Sequence, residues 1–395
     1  MVKKTMLLFF MIMFMIGTDT FLISPLLPTL QELYNVSTEI SGWMVSAYAL
    51  GYALFALIAG PISDGLDRKR VIIGGMIFFS ISTFLCGIAP TFWWMITFRF
   101  LAGVSAAFVS PQVWASIPLL VSPQHIMKCI GIVTAGLSLS QMFGLPIGAY
   151  LASVHYSTPF FVIGICSAIL GILIYFTLPH LRPLQQESQK QTVFSRYNQL
   201  LHISKTVPSF FAYFLFQTGN FAAFSFLGKW LSDQFQLEVN EIGSAMLILG
   251  FGNLTGNLFG IKLVNKFGKT RSLYGGIIAL VVLYLILPQL KYVLFIEVFF
   301  FIIFFITGIL FTIMMSALQT LSQTARGTIA ALANSSMYIG QMIGAALAGF
   351  LYVIFHNFSA IGMFTASMYI FSLFTFKRAG IIKNIESETK QKIVS

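Results

Sequence analysis

The sequence predicts an all-α membrane protein that crosses the bilayer twelve times. Of its 395 residues 57% are hydrophobic and only 9% are charged, and long apolar runs recur along the whole chain. A helix needs about 20 apolar residues to cross the ~30 Å hydrocarbon core. A soluble protein of this composition would have more apolar surface than one core could hide. We therefore expect a multi-pass protein of the cell membrane.

The twelve predicted spans form two sets of six. The first run follows Lys3 and Lys4 and continues to Leu30 without the short apolar centre and cleavage site of a signal peptide, so we interpret it as a retained span. The first six spans are predicted at residues 5–30, 41–63, 71–90, 93–120, 126–153 and 158–178. The second six are predicted at residues 208–232, 240–264, 272–289, 291–317, 327–355 and 358–376. This divides the chain into an N-terminal half, 1–178, a polar cytoplasmic linker loop, 179–207, a C-terminal half, 208–376, and a cytoplasmic tail, 377–395.

The basic residues set the predicted orientation. With twelve spans, all but three of the 23 Lys and Arg residues fall on the side of the N-terminus, and the exceptions are Arg99, Lys229 and Lys291. Cytoplasmic loops carry such an excess, so both termini are expected in the cytoplasm. The net charge of +11 is then a topology signal with some attraction to anionic lipid, and it does not indicate nucleic-acid binding.

The two halves have matching sequences in places, which indicates an internal repeat. When the chain is shifted by 200 positions, Gln141, Met142 and Gly144 coincide with Gln341, Met342 and Gly344. Two parallel six-helix repeats are a transporter architecture. The sequence contains no ATP-binding Gly-rich loop, catalytic triad or metal-ligand cluster. We therefore expect neither an enzyme, nor a cofactor, nor a bound metal.

The loop after the second span, GPISDGLDRKR, carries a recognisable motif. It resembles the signature of the major facilitator superfamily, through Gly60, Asp64, Arg68, Lys69 and Arg70, with Asp67 in place of the usual second glycine. A carboxylate at a helix end can pair with cations or with a helix N-terminus and so brace one conformation. The resemblance thus implies a cytoplasmic gate at Asp64, Arg68 and Arg70. A plain positive-inside loop would explain the basic residues but not Asp64 or Gly60.

The fourth span contains FRFLAGVSAA, in which Arg99 and Gly103 resemble the Arg-x-x-x-Gly signature of the drug and proton antiporters in that superfamily. Arginine at a span centre costs about 2.5 to 3.5 kcal/mol to insert, so it is expected to face a cavity or a partner. The alternative is that its side chain extends to the outer interface.

Small residues recur at every fourth position of the fifth span. This predicted seam comprises Gly136, Ser140, Gly144 and Gly148, with Pro146 in the run GLPIGAY. The run is similar to the pattern in the drug-efflux and sugar-efflux branch of the superfamily, which favours export. Helix packing alone would also explain the seam.

Asp19 is the acidic residue that we expect to carry a proton. It lies near the middle of the first span as a lone carboxylate, where burial disfavours the charged form and allows protonation near neutral pH. Arg99 is expected to tune this site. A structural carboxylate, bonded to Thr18 or a neighbouring helix, is the alternative. Glu297, close to the outer end of the tenth span, could hold a proton, line the cavity mouth or simply reach water.

Further polar residues within the spans are candidates for the wall of a substrate cavity. They are Tyr48, Tyr52, Gln112, Gln141, Asn220, Asn334, Tyr338 and Gln341. Together with many Phe and Met residues, they suit amphipathic ligands.

The sequence as a whole predicts a monomeric, proton-coupled exporter of small molecules such as drugs or metabolites, working by alternating access of its halves. Its expected partners are the substrate, protons and the lipid bilayer. Two alternatives stay open: an exporter dedicated to one metabolite, such as a sugar or a metal-chelating siderophore, and a proton-linked importer.

Overall fold

The computed structural model of the chain is entirely helical in the part that it describes, residues 2–63, 66–122, 125–181, 193–321 and 326–380. Twelve of its helical stretches are long and apolar enough to cross a membrane. In lipid, only a helix satisfies all the backbone hydrogen bonds within one segment, so these runs fold as helices. The predicted all-α class and the twelve spans are confirmed.

Fifteen α-helices account for most of the described part. The first six spans are formed by α1 (Val2–Tyr34), α2 with α3 (Thr38–Ser41 and Trp43–Ser63), α4 (Arg68–Cys86), α5 (Phe92–Leu120), α6 with α7 (Ile126–Leu139 and Leu145–Val154) and α8 (Thr158–Thr177). A short helix, α9 (Val193–Leu201), follows. The second six spans are α10 (Thr206–Phe235), α11 (Val239–Phe267), α12 (Lys269–Ile286), α13 (Val293–Gln319), α14 (Arg326–Phe355) and α15 (Phe358–Ala379).

The structure adds two local features to the predicted elements. The linker, predicted as a loop, contains α9, whose Tyr197 hydroxyl donates to the carbonyl of Leu57 in α3 at 3.3 Å. The fifth span is interrupted by a π-helical turn, Ser140–Gly144. Pro146 follows that turn and has no N–H to donate to the carbonyl of Met142, which favours the wider hydrogen-bond pattern.

The helix pairings of the first six spans recur in the second six. In the first set α1 packs on α6, α3 on α5, and α4 on α8; in the second set α10 packs on α14, α11 on α13, and α12 on α15. The two sets meet through α1 with α10, α3 with α14, and α7 with α11. These six helices form the interface between the two sets.

Two hydrogen bonds between the two sets lie toward the end of the bundle opposite the N-terminus, and a third, from Ser335 Oγ of α14 to the carbonyl of Ala53 of α3 at 3.1 Å, lies nearer the middle. Ser24 in α1 donates its hydroxyl to the carbonyl of Phe224 in α10 at 2.6 Å, and Ser46 near the start of α3 donates to the carbonyl of Met342 in α14 at 2.8 Å. Each bond runs from a small serine side chain to a backbone carbonyl, which requires a close approach of the two helices. The bundle is therefore joined firmly at that end.

Candidate functional site

Asp19 and Arg99 form an ion pair in the middle of the bundle. The Arg99 Nη1 atom lies 2.8 Å from Asp19 Oδ2, and both side chains are 0% exposed. Arg99 also donates from Nη1 to the backbone carbonyl of Asp19 at 3.2 Å and from Nε to the carbonyl of Met44 at 3.4 Å. The guanidinium thus ties α5 to both α1 and α3.

This geometry corrects one expectation and excludes one alternative. Asp19 is not a lone carboxylate, because a full positive charge contacts it directly. Arg99 does not extend to the outer interface, since its side chain is fully buried against α1 and α3. Sequence reasoning proposed that Arg99 tunes Asp19, but it could not find their contact because the residues lie 80 positions apart.

The ion pair is not saturated with hydrogen bonds. Within the described part of the chain, Arg99 Nη2 is buried without a hydrogen-bond partner, and Asp19 Oδ1 has the Thr83 hydroxyl as a neighbour but no donor in full hydrogen-bond geometry. A buried polar atom left unsatisfied costs about 1 to 3 kcal/mol, and more when it belongs to a charged group. Such a pair is held less firmly than a fully bonded structural salt bridge would be.

Aromatic side chains connect the ion pair to the seam between the two sets of helices. The Tyr48 ring lies over the Arg99 guanidinium, with 4.5 Å from Cζ to the ring centroid, and its hydroxyl is 3.0 Å from Thr20 Oγ1. Tyr48 and Tyr52 of α3 both contact Tyr338 of α14, and the rings of Tyr52 and Tyr338 stack at 3.8 Å between centroids. Arg99, Tyr48 and Tyr338 thus form a continuous series of contacts from α5 to α14.

The small residues of the fifth span pack against α1. A Cβ atom on Gly136 would overlap the backbone carbonyl of Phe10, and one on Gly144 would overlap Thr18 beside Asp19. A Cβ atom on Gly148 would meet Leu22, while Ser140 is buried at the π-helical turn and lies against Gly17 of α1. The predicted seam thus lies alongside the segment of α1 that carries Asp19.

The family of this protein follows from sequence similarity over nearly its whole length. Residues 9–338 and 209–392 match the sequence model of the Major Facilitator Superfamily. The chain belongs to this superfamily. The resemblance based on the loop motif and on Arg99 is confirmed at the level of the family.

Similar proteins agree with that assignment. The chain is 52% identical to the uncharacterized MFS-type transporter YceJ of Bacillus subtilis (strain 168), over 93% of this chain and 94% of that protein. It is 30% identical to multidrug resistance protein 1 of the same organism, over 63% of each chain. Its fold is similar to the crystal structure of a bacterial homolog of the human lysosomal transporter Spinster in an inward-facing and occupied conformation, with a TM-score of 0.78 and 14% identity over 96% of this chain and 97% of that one.

The loop motif of this major facilitator is only partly within the described residues. Gly60 lies near the end of α3, and Asp64 lies outside the described residues. Arg68 donates to Gln112 Oε1 of α5 at 3.1 Å, so the structure brings together two residues that the sequence placed in separate groups. Lys69 lies over the Tyr175 ring at 5.5 Å, and Arg70 is exposed.

Asp67, the departure from the family motif, has several contacts among the described residues. Its carboxylate caps α4 by accepting from Lys69 N at 3.1 Å, and it also accepts from Leu181 N at 3.0 Å and contacts the His180 ring. Arg68 N donates in turn to the carbonyl of Leu181 at 3.1 Å. Sequence analysis treated Asp67 only as a replacement for the usual second glycine and missed this clamp. An acidic residue just before the predicted third span was the available signal, since aspartate is a preferred helix N-cap.

The Asp67 clamp is expected to stabilise the protein above the acid range. Burial opposes ionisation of the carboxyl, but the hydrogen bonds from His180, Leu181 N and Lys69 N outweigh it and lower the pKa of Asp67. A lowered pKa in the folded state means that the stabilisation is complete above about pH 3.9, the unfolded value, and is lost as the pH falls through the folded pKa. Asp67→Ala should therefore reduce stability at neutral pH by about 0.5 to 2 kcal/mol.

Thermal unfolding in detergent at a series of pH values measures this effect. Asp67→Asn is the matched control, because its amide oxygen still caps α4 while the charge is removed. This variant should lose less stability than Asp67→Ala. An Asp67→Ala protein as stable as the unmodified one at pH 7 would contradict the clamp.

The remaining candidate cavity residues fall into two groups. Tyr48, Tyr52, Gln112, Tyr338 and Gln341 are buried. Gln141, Asn220 and Asn334 are partly exposed. Glu297 lies in the first turns of α13 and is partly exposed, away from the Asp19 to Arg99 pair in sequence and without a described contact to it. Its predicted role stays a prediction.

Gly103, one turn along α5 from Arg99, is required for close packing. A Cβ atom there would overlap the backbone carbonyl of Tyr48, so α3 and α5 would have to separate. We expect Gly103→Ala to destabilise the protein by about 1 to 3 kcal/mol and to reduce transport, because Tyr48 loses its position over Arg99. Gly74→Ala is the control, since nothing lies within 4 Å of the added Cβ, and it should be neutral or slightly stabilising. Equal melting temperatures for the two variants would contradict this account.

Proposed function

We propose that this major facilitator is a proton-coupled exporter of small molecules that works by alternating access. The observation that carries the proposal is the fully buried ion pair between Asp19 and Arg99 at mid-span. Ionisable residues inside a membrane are costly and usually belong to a transport or proton pathway. The name of one relative, multidrug resistance protein 1, supports a drug or drug-like cargo.

Proton binding would act through the ion pair. When Asp19 takes a proton, it loses its negative charge, and Arg99 loses the partner that compensates it. The guanidinium, which also bonds to Met44 and stacks on Tyr48, would then shift toward another acceptor or toward the cavity. A buried charge without its partner is strongly destabilised, which provides the driving force for this shift.

The shift would reach the second half of the bundle through the tyrosines. Tyr48 contacts Arg99 on one side and Tyr338 of α14 on the other, and Tyr338 stacks on Tyr52. Separation of α3 from α14 would break this stack and the bond from Ser46 to Met342. Protonation of Asp19 and opening of the seam would thus be coupled, and a substrate that binds at the seam would compete with the proton.

The loop after the second span would gate the cytoplasmic side of the protein. We assign the cytoplasmic gate to Asp64, Arg68 and Arg70 on the motif, and we add the Asp67 clamp, which fixes the segment after α8 to the start of α4. With the N-terminus in the cytoplasm, as the basic residues predict, the contacts through Ser24 and Ser46 lie on the outer side. The described conformation would then correspond to an inward-facing state, ready to bind cargo from the cytoplasm.

Transport into everted membrane vesicles tests the function. Vesicles with and without the protein are given an inwardly acidic pH gradient, and a panel of drugs and metabolites is scored for accumulation. Gradient-driven accumulation of several chemically unrelated compounds supports the proposal. Accumulation of a single metabolite would favour a dedicated exporter, and export from the vesicle lumen under the same gradient would favour a proton-linked importer.

A further inference from the structure

Three polar side chains form a hydrogen-bonded cluster between α11 and α13. Asn257 Nδ2 donates to Asn253 Oδ1 at 2.6 Å, one turn away on the same helix. Thr312 of α13 donates its hydroxyl to Asn257 Oδ1 at 3.2 Å and also lies 3.1 Å from the carbonyl of Gly308. We call Asn253, Asn257 and Thr312 the amide cluster. Polar side chains within a span are costly unless they are bonded or face a cavity, so their surroundings decide what they can do.

The amides point into the bundle and not toward lipid. Phe251, Leu258 and Phe259 are exposed and mark the lipid-facing side of α11. Successive residues of an α-helix are about 100° apart around its axis. Asn253 and Asn257 therefore lie on the opposite side of α11, which faces the other helices.

This inner side of α11 changes from closed to open along the helix. Ile242, Met246 and Leu249 lie on the same side as the amides and are at most 1% exposed. Asn253 and Asn257, further along, are partly exposed although they face away from lipid. Exposure on that side requires open space within the bundle, which begins near Asn253 and continues toward the end of α11. With the orientation that the basic residues predict, this end is cytoplasmic, which agrees with the inward-facing state proposed above.

The π-helical turn of the fifth span lies next to the amide cluster. A Cβ atom on Gly250, one turn before Asn253, would overlap the backbone of Met142 in that turn. The same turn packs against α1, since a Cβ atom on Gly17 would overlap Ser140. Turns of this kind often occur at functional sites. The turn thus contacts both the helix that carries the amides and the helix that carries Asp19.

The order of donors and acceptors determines what the amide cluster can offer to a ligand. The Thr312 hydroxyl donates to Asn257, and the Asn257 amide donates to Asn253. Asn253 Oδ1 is thereby engaged, whereas its Nδ2 has no acceptor among the described residues. Hydrogen bonds in a chain polarise one another, which strengthens the last donor. Asn253 therefore presents an N–H donor to the open space.

The amide cluster carries no charge, and the cations that follow it on α11 point elsewhere. Lys262 and Lys266 are exposed, and Lys262 lies over the ring of the lipid-facing Phe259 at 5.9 Å. A neutral donor suits a neutral acceptor oxygen, such as a carbonyl, because an ion would lose its hydration without a counter-charge.

We propose that Asn253 binds a carbonyl or another neutral acceptor oxygen of the cargo, and that Asn257 and Thr312 are positioning residues that orient its amide. The inference rests on the proposed transport function and names a binding group and a substrate class for it. The class comprises neutral molecules with an accessible acceptor oxygen.

The first test measures whether water reaches position 253. In a chain with Cys86, Cys129 and Cys166 replaced by alanine, Asn253→Cys and Thr255→Cys are treated in everted vesicles with MTSET, a water-soluble, membrane-impermeant thiol reagent. Thr255 lies on the lipid-facing side of the same helix, where its hydroxyl bonds only to carbonyls of α11 in the described structure. Asn253→Cys should react at least ~10-fold faster, because thiol reactivity depends on access to water. Equal rates would overturn the inference and leave the proposed function intact.

The second test measures the donor itself, with chloramphenicol as a neutral probe that carries an amide carbonyl. Asn253→Asp keeps an oxygen that accepts from Asn257 Nδ2 but replaces the donor by an acceptor, and Asn253→Leu removes both at similar size. Both variants should lower kcat/KM for gradient-driven chloramphenicol uptake into vesicles about 5- to 10-fold, mainly through KM. Thr255→Val is the matched control and should leave kcat/KM unchanged.

The outcomes separate the inference from the proposed function. An unchanged kcat/KM in Asn253→Asp at a normal melting temperature, or an equal loss in Thr255→Val, would overturn the role of Asn253. If the unmodified protein transports other compounds of the vesicle panel but not chloramphenicol, the substrate class is wrong and the proposed function stands. Transport of no compound overturns both.

Discussion

Asp19→Asn should abolish the response of transport to a pH gradient. The amide oxygen of asparagine can still accept from Arg99 Nη1, so the contact between α1 and α5 is kept while the titratable group is lost. We expect the initial rate of gradient-driven accumulation in vesicles to fall by more than ~10-fold, to the rate seen without a gradient. Equilibration of substrate down its own gradient should continue, because that exchange does not require a proton.

Asp233→Asn is the matched control for this variant. Asp233 pairs with Lys229 Nζ at 2.8 Å and accepts from the Tyr352 hydroxyl at 2.8 Å, but it lies near the end of α10 and is partly exposed. Removing its charge should leave the gradient response in place. If Asp19→Asn shows the full gradient response at a normal expression level, Asp19 is a structural carboxylate and the proton pathway lies elsewhere.

Arg99→Met should destabilise the protein more than any other single change considered above. It removes the counter-charge of a fully buried carboxylate, and breaking a buried ion pair from one side costs about 3 to 5 kcal/mol. Methionine is close to arginine in length and is apolar. The loss of stability therefore reflects the missing charge more than a change in side-chain volume. The expected result is a large fall in the melting temperature in detergent, together with loss of transport.

The double variant Asp19→Leu with Arg99→Met separates charge pairing from packing. Replacing a whole buried pair by apolar residues of similar size is often neutral, so the double variant should recover most of the stability while staying inactive. As a control, Lys229→Met breaks a partly exposed pair and should cost no more than about 1 kcal/mol. A double variant as unstable as Arg99→Met alone would show that the guanidinium acts through its bonds to Met44 and Tyr48 and not through Asp19.

The candidate site could be predicted from the sequence only as a set of separate residues. Asp19 and Arg99 were recognisable because a charge within an apolar span is expensive, whatever surrounds it. Their contact was not predictable, because it depends on how α1 and α5 pack across 80 positions of chain. The stack of Tyr52 on Tyr338 and the bond of Arg68 to Gln112 were hidden for the same reason.

Asp67 shows a different kind of limit. The family motif drew attention to Asp64, which lies outside the described residues, and it made Asp67 a mere substitution for glycine. The helix N-cap was predictable from local sequence, but the bonds from His180 and Leu181 come from the end of another span. A local motif predicts which residue types a loop contains, whereas the residues that they contact depend on how the helices pack.

The sequence by itself determined that the helices lie in a lipid bilayer, that there are twelve spans, and which family the protein belongs to. These properties depend on hydropathy and on residue types at short spacings, which the chain carries locally. Only the tertiary structure decided that the carboxylate of the first span and the arginine of the fourth are one buried ion pair, joined through Tyr48 to the seam between the halves. The reason is physical: in lipid, apolar helices can pack in many arrangements of nearly equal hydrophobic energy, and small residues and buried polar contacts select one of them.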